Sequence, residues 1–236
     1  MSDRAGAIAA PGAPRTVVFD LDGTLADSQE GILRSFHLTL GDEGITATDE
    51  ELRHLIGPPL EESFARLGIA PSRLAPVVAR YRAHYDRVGV SAAVPYDGVV
   101  AAVHRLREGE VRLAVATAKR VDFAHRMLAR FAIEDCFEVI EGVSGDDRIR
   151  TKNDVVDAVR RTLGEGGVTW MVGDRRQDVE AARHASWVAV GVVWGYGTRD
   201  ELLAAGAERL IDTPSHLADA ALGDVRRQPA GSGGRS

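Results

Sequence analysis

The sequence has little of several features, and each scarcity excludes a class of protein. Cys136 is the only cysteine among 236 residues, so no intrachain disulfide can form and no cysteine cluster can bind zinc. No apolar run approaches the roughly 20 residues that a membrane-spanning helix needs. No block of basic residues is present, and the formal net charge is -6 with a pI near 5.7. We therefore expect a cytoplasmic protein that binds neither nucleic acid nor a membrane surface.

The composition is that of a globular protein with polar ends. Hydrophobic residues make up 44% and charged residues 27% of the chain, which is enough apolar material to bury a core. Residues 1–14 are rich in Ala, Gly and Pro, and residues 226–236 in Gly, Arg and Ser. We expect both segments to be disordered tails, and the first is too weakly apolar for a signal peptide.

Four short apolar runs do not alternate between apolar and polar residues. They are Val17–Phe19, Leu113–Ala116, Trp170–Val172 and Val188–Val193. Runs of this kind are typical of strands buried on both faces of a parallel sheet. Segments with helical spacing lie between these runs, and two of them end at Gly109 and Gly164. The alternation predicts an α/β fold with a doubly wound parallel sheet, that is, a Rossmann-like core.

Residues 27–94 interrupt this alternation with helix signatures and no convincing strand. The signatures are a capping box at Thr48–Glu51 opening Leu52–Ile56, a helix over Leu60–Leu67 closed by Gly68, and a helix over Leu74–Val88 closed by Gly89. Such a block is too large for a loop, so we predict an inserted all-helical cap domain at 27–94. The α/β core would then comprise residues 15–26 and 95–225, with hinges near Ala26–Ser28 and Pro95–Gly98.

Polar residues follow the predicted strands at the edge where open α/β sheets bind ligands. Asp20 and Asp22 end the first strand, and Asp174 ends the third. The spacing of two places the first pair on the same side, where the carboxylates repel each other unless a cation lies between them. Together with Asp178, these oxygen ligands suit Mg²⁺.

Two further residues suit the binding of an anion at the same edge. Thr117 ends the second strand and offers a hydroxyl, while Lys152 opens a helix and offers a compact positive charge. Taken singly, Thr117 and Asp178 can be helix caps and Lys152 a surface lysine. Taken together with Asp20 and Asp22, they supply the nucleophile, acid, metal ligands and phosphate ligands that phosphoryl transfer needs.

The motifs are similar to those of a known superfamily. Phe19-Asp20-Leu21-Asp22-Gly23-Thr24-Leu25 resembles the first motif of the haloacid dehalogenase-like hydrolases. Thr117, Lys152 and Gly173–Asp178 match the later motifs in the right order, so the resemblance covers residues 15–220. Residues 57–64 and 192–197 look like the phosphoglycolate phosphatase-like branch. One departure is Asn153, where many relatives have proline after the lysine; the charge of Lys152 is unaffected.

This resemblance implies a role for each site residue and a bound Mg²⁺. Asp20 would be the nucleophile that forms an aspartyl-phosphate, and it would also bind the metal. Asp22 would act as acid and then as base, with its backbone carbonyl on the metal. The remaining roles are phosphate binding by Thr117 and Lys152, metal binding by Asp174, and support of the metal ligand or of the lysine by Asp178.

The resemblance leaves the substrate and the assembly open. It implies a small phosphomonoester, with a phosphoglycolate-like compound favoured over a sugar phosphate of secondary metabolism or a nucleoside monophosphate. Pro58, Pro59, Leu60 and Glu62 are the cap residues expected to select the leaving group. Whether Trp194 and Tyr196 line the pocket or pack against the sheet end is open, as is the choice between monomer and homodimer.

Two other readings of the residues compete with the phosphatase. A receiver-type signalling domain also combines an acidic pair, a phosphorylated Asp, a Thr and a Lys on a doubly wound sheet. Here the predicted nucleophile comes first in the chain and the metal acids come last, and a receiver has no helical insertion. The second reading, an inactive binding protein with this fold, is disfavoured because the side chains expected for catalysis are all present.

Overall fold

A computed structural model of the chain describes residues 13–144, 151–164 and 166–223. The tail predicted at 226–236, and residues 1–12 of the tail predicted at 1–14, lie outside the described residues. In chain order the strands are β1 (Thr16–Phe19), β2 (Ala26–Asp27), β3 (Val94–Pro95), β4 (Arg112–Arg120), β5 (Val139–Val143), β6 (Thr169–Gly173), β7 (Val188–Val192) and β8 (Arg209–Ile211). The α-helices are α1 (Gln29–Asp42), α2 (Asp49–Arg53), α3 (Leu60–Arg66), α4 (Pro71–His84), α5 (Val90–Ala92), α6 (Val99–Glu108), α7 (Val121–Arg130), α8 (Lys152–Leu163), α9 (Arg176–His184), α10 (Arg199–Ala205) and α11 (Pro214–Leu222).

The central sheet confirms the predicted fold class. Over the described residues its strands are all parallel and run in the order β5-β4-β1-β6-β7-β8. The first strand lies in the middle, where Val17 pairs with Leu113 on one side and with Trp170 on the other. Val17 and Val18 are fully buried, because helices cover both faces of the sheet. The order reverses at β1, which places the crevice for a ligand at the end of that strand.

Two strands of the sheet were not among the four apolar runs. β5 contains Glu141 and Gly142, and β8 has only the three residues Arg209–Ile211. Both are edge strands, which are partly exposed and therefore carry polar residues between their apolar ones. A search for continuous apolar runs detects only strands that are buried on both faces, so it missed these two.

Helices α1 to α5 occupy the chain between β2 and β3, where the sequence predicts the cap. The capping box of Thr48 and Glu51 forms as expected, and it opens α2. The cap helices bury a cluster of aromatic rings that includes Phe36, Phe64 and Tyr81. The predicted domain boundaries, 27–94 for the cap and 15–26 with 95–225 for the core, stay a prediction.

The predicted helix stop at Gly89 is wrong. The chain continues from α4 through a π-helical segment, Tyr85–Gly89, directly into α5, and Gly89 has right-handed helical angles. Gly89 packs against Gly31 of α1, where an added Cβ on Gly31 would lie 2.8 Å from the Gly89 Cα. This glycine therefore permits a close helix contact rather than a turn.

The two predicted hinges pair with each other. β2 and β3 form a short antiparallel ribbon in which Ala26 lies opposite Pro95 and Asp27 opposite Val94. The chain thus leaves and re-enters the core through adjacent strands, and the ribbon starts close to the end of β1. In the described part of the chain, none of the helices has both the length and the apolar character needed to span a bilayer.

Candidate active site

The loop after β1 brings the first motif against a second acidic residue. Asp20 is 8% exposed, and its backbone N–H donates to the carbonyl of Val172 at the end of β6. Gly23 has a φ of +86°, a left-handed conformation, and its N–H donates to the carbonyl of Ala26. An added Cβ on Gly23 would overlap the carboxylate of Asp174. The tight turn is therefore what allows Asp174 to approach the first motif.

Three buried carboxylates meet at the carboxyl ends of β1 and β6. Asp20, Asp174 and Asp178 each offer an oxygen, and these oxygens lie within 4.8 Å of one another. The Nζ of Lys152, at the start of α8, donates to Asp20 Oδ1 at 2.6 Å and lies 2.8 Å from Asp178 Oδ1. Thr24 donates its hydroxyl to Asp174. Among the described residues of this cluster, three ionised carboxylates and one ammonium group leave two negative charges, and a divalent cation would balance them. The donor set fits Mg²⁺.

Burial dominates the electrostatics of this cluster. It raises the pKa of Asp20 from 3.8 to about 6, although Lys152 acts in the opposite direction. Burial, with the neighbouring carboxylates of Asp178 and Asp20, also raises the pKa of Asp174 well above its ordinary value. For Lys152 burial alone would lower the pKa, but the Asp178 and Asp20 carboxylates outweigh it and raise the pKa. Burial thus disfavours the ionised form of these acids unless a positive charge lies next to them.

Thr117 lies in an irregular stretch of β4. The pairing of β4 with β5 shifts register between Ala116 and Arg120, and the intervening residues bulge away from the regular ladder. Thr117 is 1% exposed, and its hydroxyl oxygen accepts a hydrogen bond from the backbone N–H of Lys119 at 3.2 Å. Bulges commonly redirect side chains beside an active site, and this one places Thr117 and Lys119 at the same sheet edge as Asp20.

The carboxylate of Asp22 accepts two contacts that the sequence did not predict. The hydroxyl of Ser28, the residue after β2, donates to Oδ1. The Nζ of Lys119 lies 2.7 Å from Oδ2 and donates to the hydroxyl of Tyr85 at 2.8 Å. The hydroxyl of Tyr196 accepts a hydrogen bond from the backbone N–H of Ser28 at 2.8 Å, so Tyr196 contacts the predicted hinge at Ala26–Ser28. Asp22 is thus connected both to the hinge and to the cap.

Arg175 is a second residue that sequence reasoning missed. Its Nε donates to Glu201 Oε1 at 2.9 Å, and its Nη1 donates to the carbonyl of Ile56 in the cap. The next residue, Gly57, has a φ of +111°, and a Cβ there would lie 2.9 Å from Nη1 of Arg175. The residue between Asp174 and the lysine-binding Asp178 therefore connects the metal-suited cluster to the cap loop.

The structure separates the predicted cap residues. Pro58 and Leu60 are half-buried, and Pro58 follows the glycine that contacts Arg175. Pro59 is exposed, and Glu62 lies on the exposed side of α3 in an ion pair with Arg66. The loop itself thus approaches the core, whereas the carboxylate of Glu62 is engaged elsewhere.

Trp194 and Tyr196 follow β7 and contact the two segments that carry the site acids, the first-motif loop and the end of β6. The indole N–H of Trp194 donates to the carbonyl of Thr24 at 3.0 Å, and its ring packs against the core. The backbone N–H of Tyr196 donates to Asp174 Oδ2 at 2.7 Å. Trp194 thus binds the first-motif loop and Tyr196 binds Asp174 at the end of β6, and both contacts agree with packing at the end of the sheet.

Fold and site together define an α/β enzyme with an acidic, metal-suited centre at the carboxyl ends of its strands. A family model described as haloacid dehalogenase-like hydrolase matches residues 17–192. The chain therefore belongs to that family. The predictions of this superfamily and of an enzyme of the hydrolase class are confirmed.

Relatives that carry different functional names are similar to this chain over most of its length. The tyrosine-protein kinase PtkA of Mycobacterium tuberculosis is 42% identical over 191 residues, which are 79% of this chain and 65% of the relative. The chain thus spans less than two thirds of that relative's length. A 5'-nucleotidase of Pseudomonas aeruginosa is 34% identical over 194 residues, which are 80% of this chain and 86% of the relative.

Solved structures show the same architecture. A predicted phosphatase from Clostridium acetobutylicum has a TM-score of 0.81 at 32% identity, with 86% of this chain and 96% of that chain covered. A putative phosphoglycolate phosphatase from Lactobacillus delbrueckii has a TM-score of 0.78 at 20% identity, with 89% and 98% covered. The second likeness is one of fold.

Proposed function

We propose that the chain is a magnesium-dependent phosphatase that hydrolyses a small phosphomonoester through an aspartyl-phosphate on Asp20. The observation that carries this proposal is the charge imbalance of the buried cluster, in which, over the part of the chain that the structure describes, three carboxylates meet one ammonium group. A divalent cation held by Asp20, Asp174 and the backbone carbonyl of Asp22 would restore the balance. Membership of the hydrolase family supports the same chemistry.

In the first step a carboxylate oxygen of Asp20 attacks the phosphorus atom, and the bond between phosphorus and the ester oxygen breaks. Asp22 donates a proton to the leaving oxygen, so that an alcohol departs. Lys152 and Thr117 bind oxygens of the phosphoryl group, and Lys152 already lies 2.6 Å from Asp20 Oδ1. Bound Mg²⁺ supplies positive charge for the phosphate oxygens.

In the second step a water oxygen bonds to phosphorus, and the bond from phosphorus to Asp20 breaks. Asp22 takes the proton from that water and returns to the acid form, while inorganic phosphate leaves. Ser28 and Lys119 donate to the two carboxylate oxygens of Asp22. These contacts fix the orientation of the carboxylate that takes the proton from the water.

The substrate we favour is a phosphoglycolate-like ester, as the resemblance of residues 57–64 and 192–197 implies. A nucleoside monophosphate is the second candidate, since the Pseudomonas relative is named 5'-nucleotidase. A sugar phosphate is a third. The name of the mycobacterial relative raises phosphoryl transfer to tyrosine, which differs from hydrolysis in its acceptor, a tyrosine hydroxyl rather than water.

The test is release of inorganic phosphate by the purified chain from p-nitrophenyl phosphate and from a panel of phosphomonoesters. We expect turnover with Mg²⁺, none in excess EDTA, and none for Asp20→Asn in either condition. Asp212→Asn is the matched control, because Asp212 is an exposed aspartate paired with Arg199. We expect that variant to keep full activity.

Two results would contradict the proposal. Turnover that persists in excess EDTA would show that the reaction needs no metal ion. Turnover that persists in Asp20→Asn would show that Asp20 is not the nucleophile. Labelled ATP gives a third comparison. Label that accumulates on a tyrosine without release of inorganic phosphate would favour the kinase-like reaction over hydrolysis.

A further inference from the structure

Lys119 is a buried cation next to the proposed acid and base. Its side chain is 6% exposed, and its Nζ lies 2.7 Å from Asp22 Oδ2, 2.8 Å from the Tyr85 hydroxyl and 4.2 Å from the centre of the Tyr85 ring. Removing an ammonium group from water is unfavourable unless the charge is paired. A position that retains a buried charge beside a reacting group is a candidate for a functional residue.

Lys119 and Lys152 serve opposite sides of the site. Lys152 contacts Asp20 and Asp178, so it faces the phosphoryl group that Asp20 would accept. Lys119 contacts Asp22, which under the proposed function meets the oxygen of the leaving group. Since Asp22 carries a proton when it acts as the acid, the charge that the described residues present to the leaving group on this side is the positive charge of Lys119.

This arrangement discriminates between leaving groups by their charge. An anionic leaving group is attracted by the ammonium group of Lys119, which lies 2.7 Å from the Asp22 oxygen that meets the leaving group's side of the site, whereas a neutral leaving group gains no such attraction. An ammonium group has three protons, and among the described residues Asp22 and Tyr85 account for two of them. The third proton is suited to a carboxylate or phosphate oxygen of an incoming substrate.

Tyr85 holds the ammonium group in place from the cap. Tyr85 is 2% exposed and belongs to the π-helical segment, a type of irregularity that is frequent at functional sites. Its ring packs against Tyr81 and Phe123, with centroid distances of 6.1 Å and 5.4 Å. Since the ring is fixed on both sides, the position of Lys119 is fixed with it.

We propose that Lys119 is a specificity-determining residue that binds the anionic end of the leaving group. The substrates would then be phosphate compounds whose leaving group is itself a phosphate or carries a carboxylate one carbon from the bridging oxygen. This inference rests on the proposed function, and it deepens it by naming the substrate class.

A matched pair of substrates tests the inference. Phosphoglycolate and 2-hydroxyethyl phosphate differ in one group, a carboxylate in the first and a hydroxymethyl in the second. For the wild type we expect kcat/KM to be about 10- to 100-fold higher with phosphoglycolate, the range of one charge-assisted hydrogen bond. Pyrophosphate, compared with phosphoglycolate, tells whether the anion is a phosphate or a carboxylate.

Variants at the same position separate binding from structure. In Lys119→Met the preference for phosphoglycolate should fall to within about 3-fold of unity, mainly through a higher KM for that substrate. Lys119→Arg should restore part of the preference, because it keeps the charge. Tyr85→Phe keeps the ring and removes the hydroxyl, so it should retain most of the preference.

The wild-type comparison decides the inference even if a variant fails to fold. Equal kcat/KM for the two substrates in the wild type would overturn it, and so would an equal loss on both substrates in a folded Lys119→Met. If p-nitrophenyl phosphate is hydrolysed with Mg²⁺ but the preference is absent, the specificity role alone is wrong. If no phosphate compound is hydrolysed, the proposed function is wrong, and the inference is wrong with it.

Discussion

Replacing Asp20 by asparagine is expected to stabilise the metal-free protein, although the same change removes the proposed nucleophile. Burial raises the pKa of the Asp20 carboxyl from 3.8 to about 6. Between these two values the folded protein binds more protons than the unfolded chain, so its stability falls as the pH rises through this window. Above pH 6 the ionised carboxylate is destabilising by about 3 kcal/mol, and a neutral amide of the same shape avoids that cost. Lys152 keeps its contact with Asp178 at 2.8 Å.

The assay is thermal and urea unfolding of wild type and variant in EDTA, at pH 7.5 and near pH 4. At pH 7.5 we expect Asp20→Asn to be more stable by up to about 3 kcal/mol, on the order of 5–10 °C in Tm. Near pH 4 the difference should shrink, since Asp20 of the wild type is then largely protonated. Mg²⁺ at 100 times its Kd should stabilise the wild type by about 2.7 kcal/mol, and the variant by less.

The outcome that refutes this reasoning is specific. If metal-free Asp20→Asn is equal to or less stable than the wild type at pH 7.5, then burial does not destabilise the carboxylate. A gain that is unchanged near pH 4 would also contradict the argument, because it would have a cause other than charge. Asp212→Asn, at an exposed ion pair, should show no comparable gain in EDTA.

Three further substitutions give separate outcomes. Asp22→Asn should lower kcat for an alkyl phosphate about 10²- to 10⁴-fold, as measured by phosphate release, because it removes acid–base catalysis. Arg175→Met removes the hydrogen bond from the core to the Ile56 carbonyl of the cap loop, so it should raise KM about 10- to 100-fold for every substrate in steady-state assays. Unchanged KM values would contradict a role of Arg175 in holding the cap loop over the site. Gly23→Ala should abolish Mg²⁺-dependent turnover, because a Cβ overlaps Asp174; full activity would contradict the tight turn.

The sequence was sufficient to predict the strands that are buried on both faces of the sheet. β1 is four residues long and entirely buried, and its apolar run followed by Asp20 and Asp22 located both the sheet and its functional edge. β5 and β8 were missed because edge strands expose one side and need no continuous apolar run. Gly89 was misread because a glycine at a helix contact and a glycine at a helix end look alike in sequence.

In the candidate site too, residues with a local sequence signal could be predicted, and residues whose role depends on distant contacts could not. The acids lie directly after buried strands, and this local signal is strong. Lys119 and Arg175 acquire their roles from partners distant in the chain, Tyr85 for the first and Ile56 for the second. The signals that were available are positional: Lys119 lies two residues after Thr117, and Arg175 lies between two site acids. Their burial and their partners depend on the β4 bulge and on the cap, which local patterns do not encode.

The most direct test of the account is to find the covalent intermediate. The enzyme is mixed with substrate and Mg²⁺, quenched in acid during turnover and treated with borohydride, which reduces an acyl phosphate to an alcohol. Peptide mass spectrometry then reports the modified residue. We predict homoserine at position 20 in the wild type and none in Asp20→Asn. Homoserine at a different aspartate, or turnover with no reduced residue at all, would contradict the assignment of Asp20 as nucleophile.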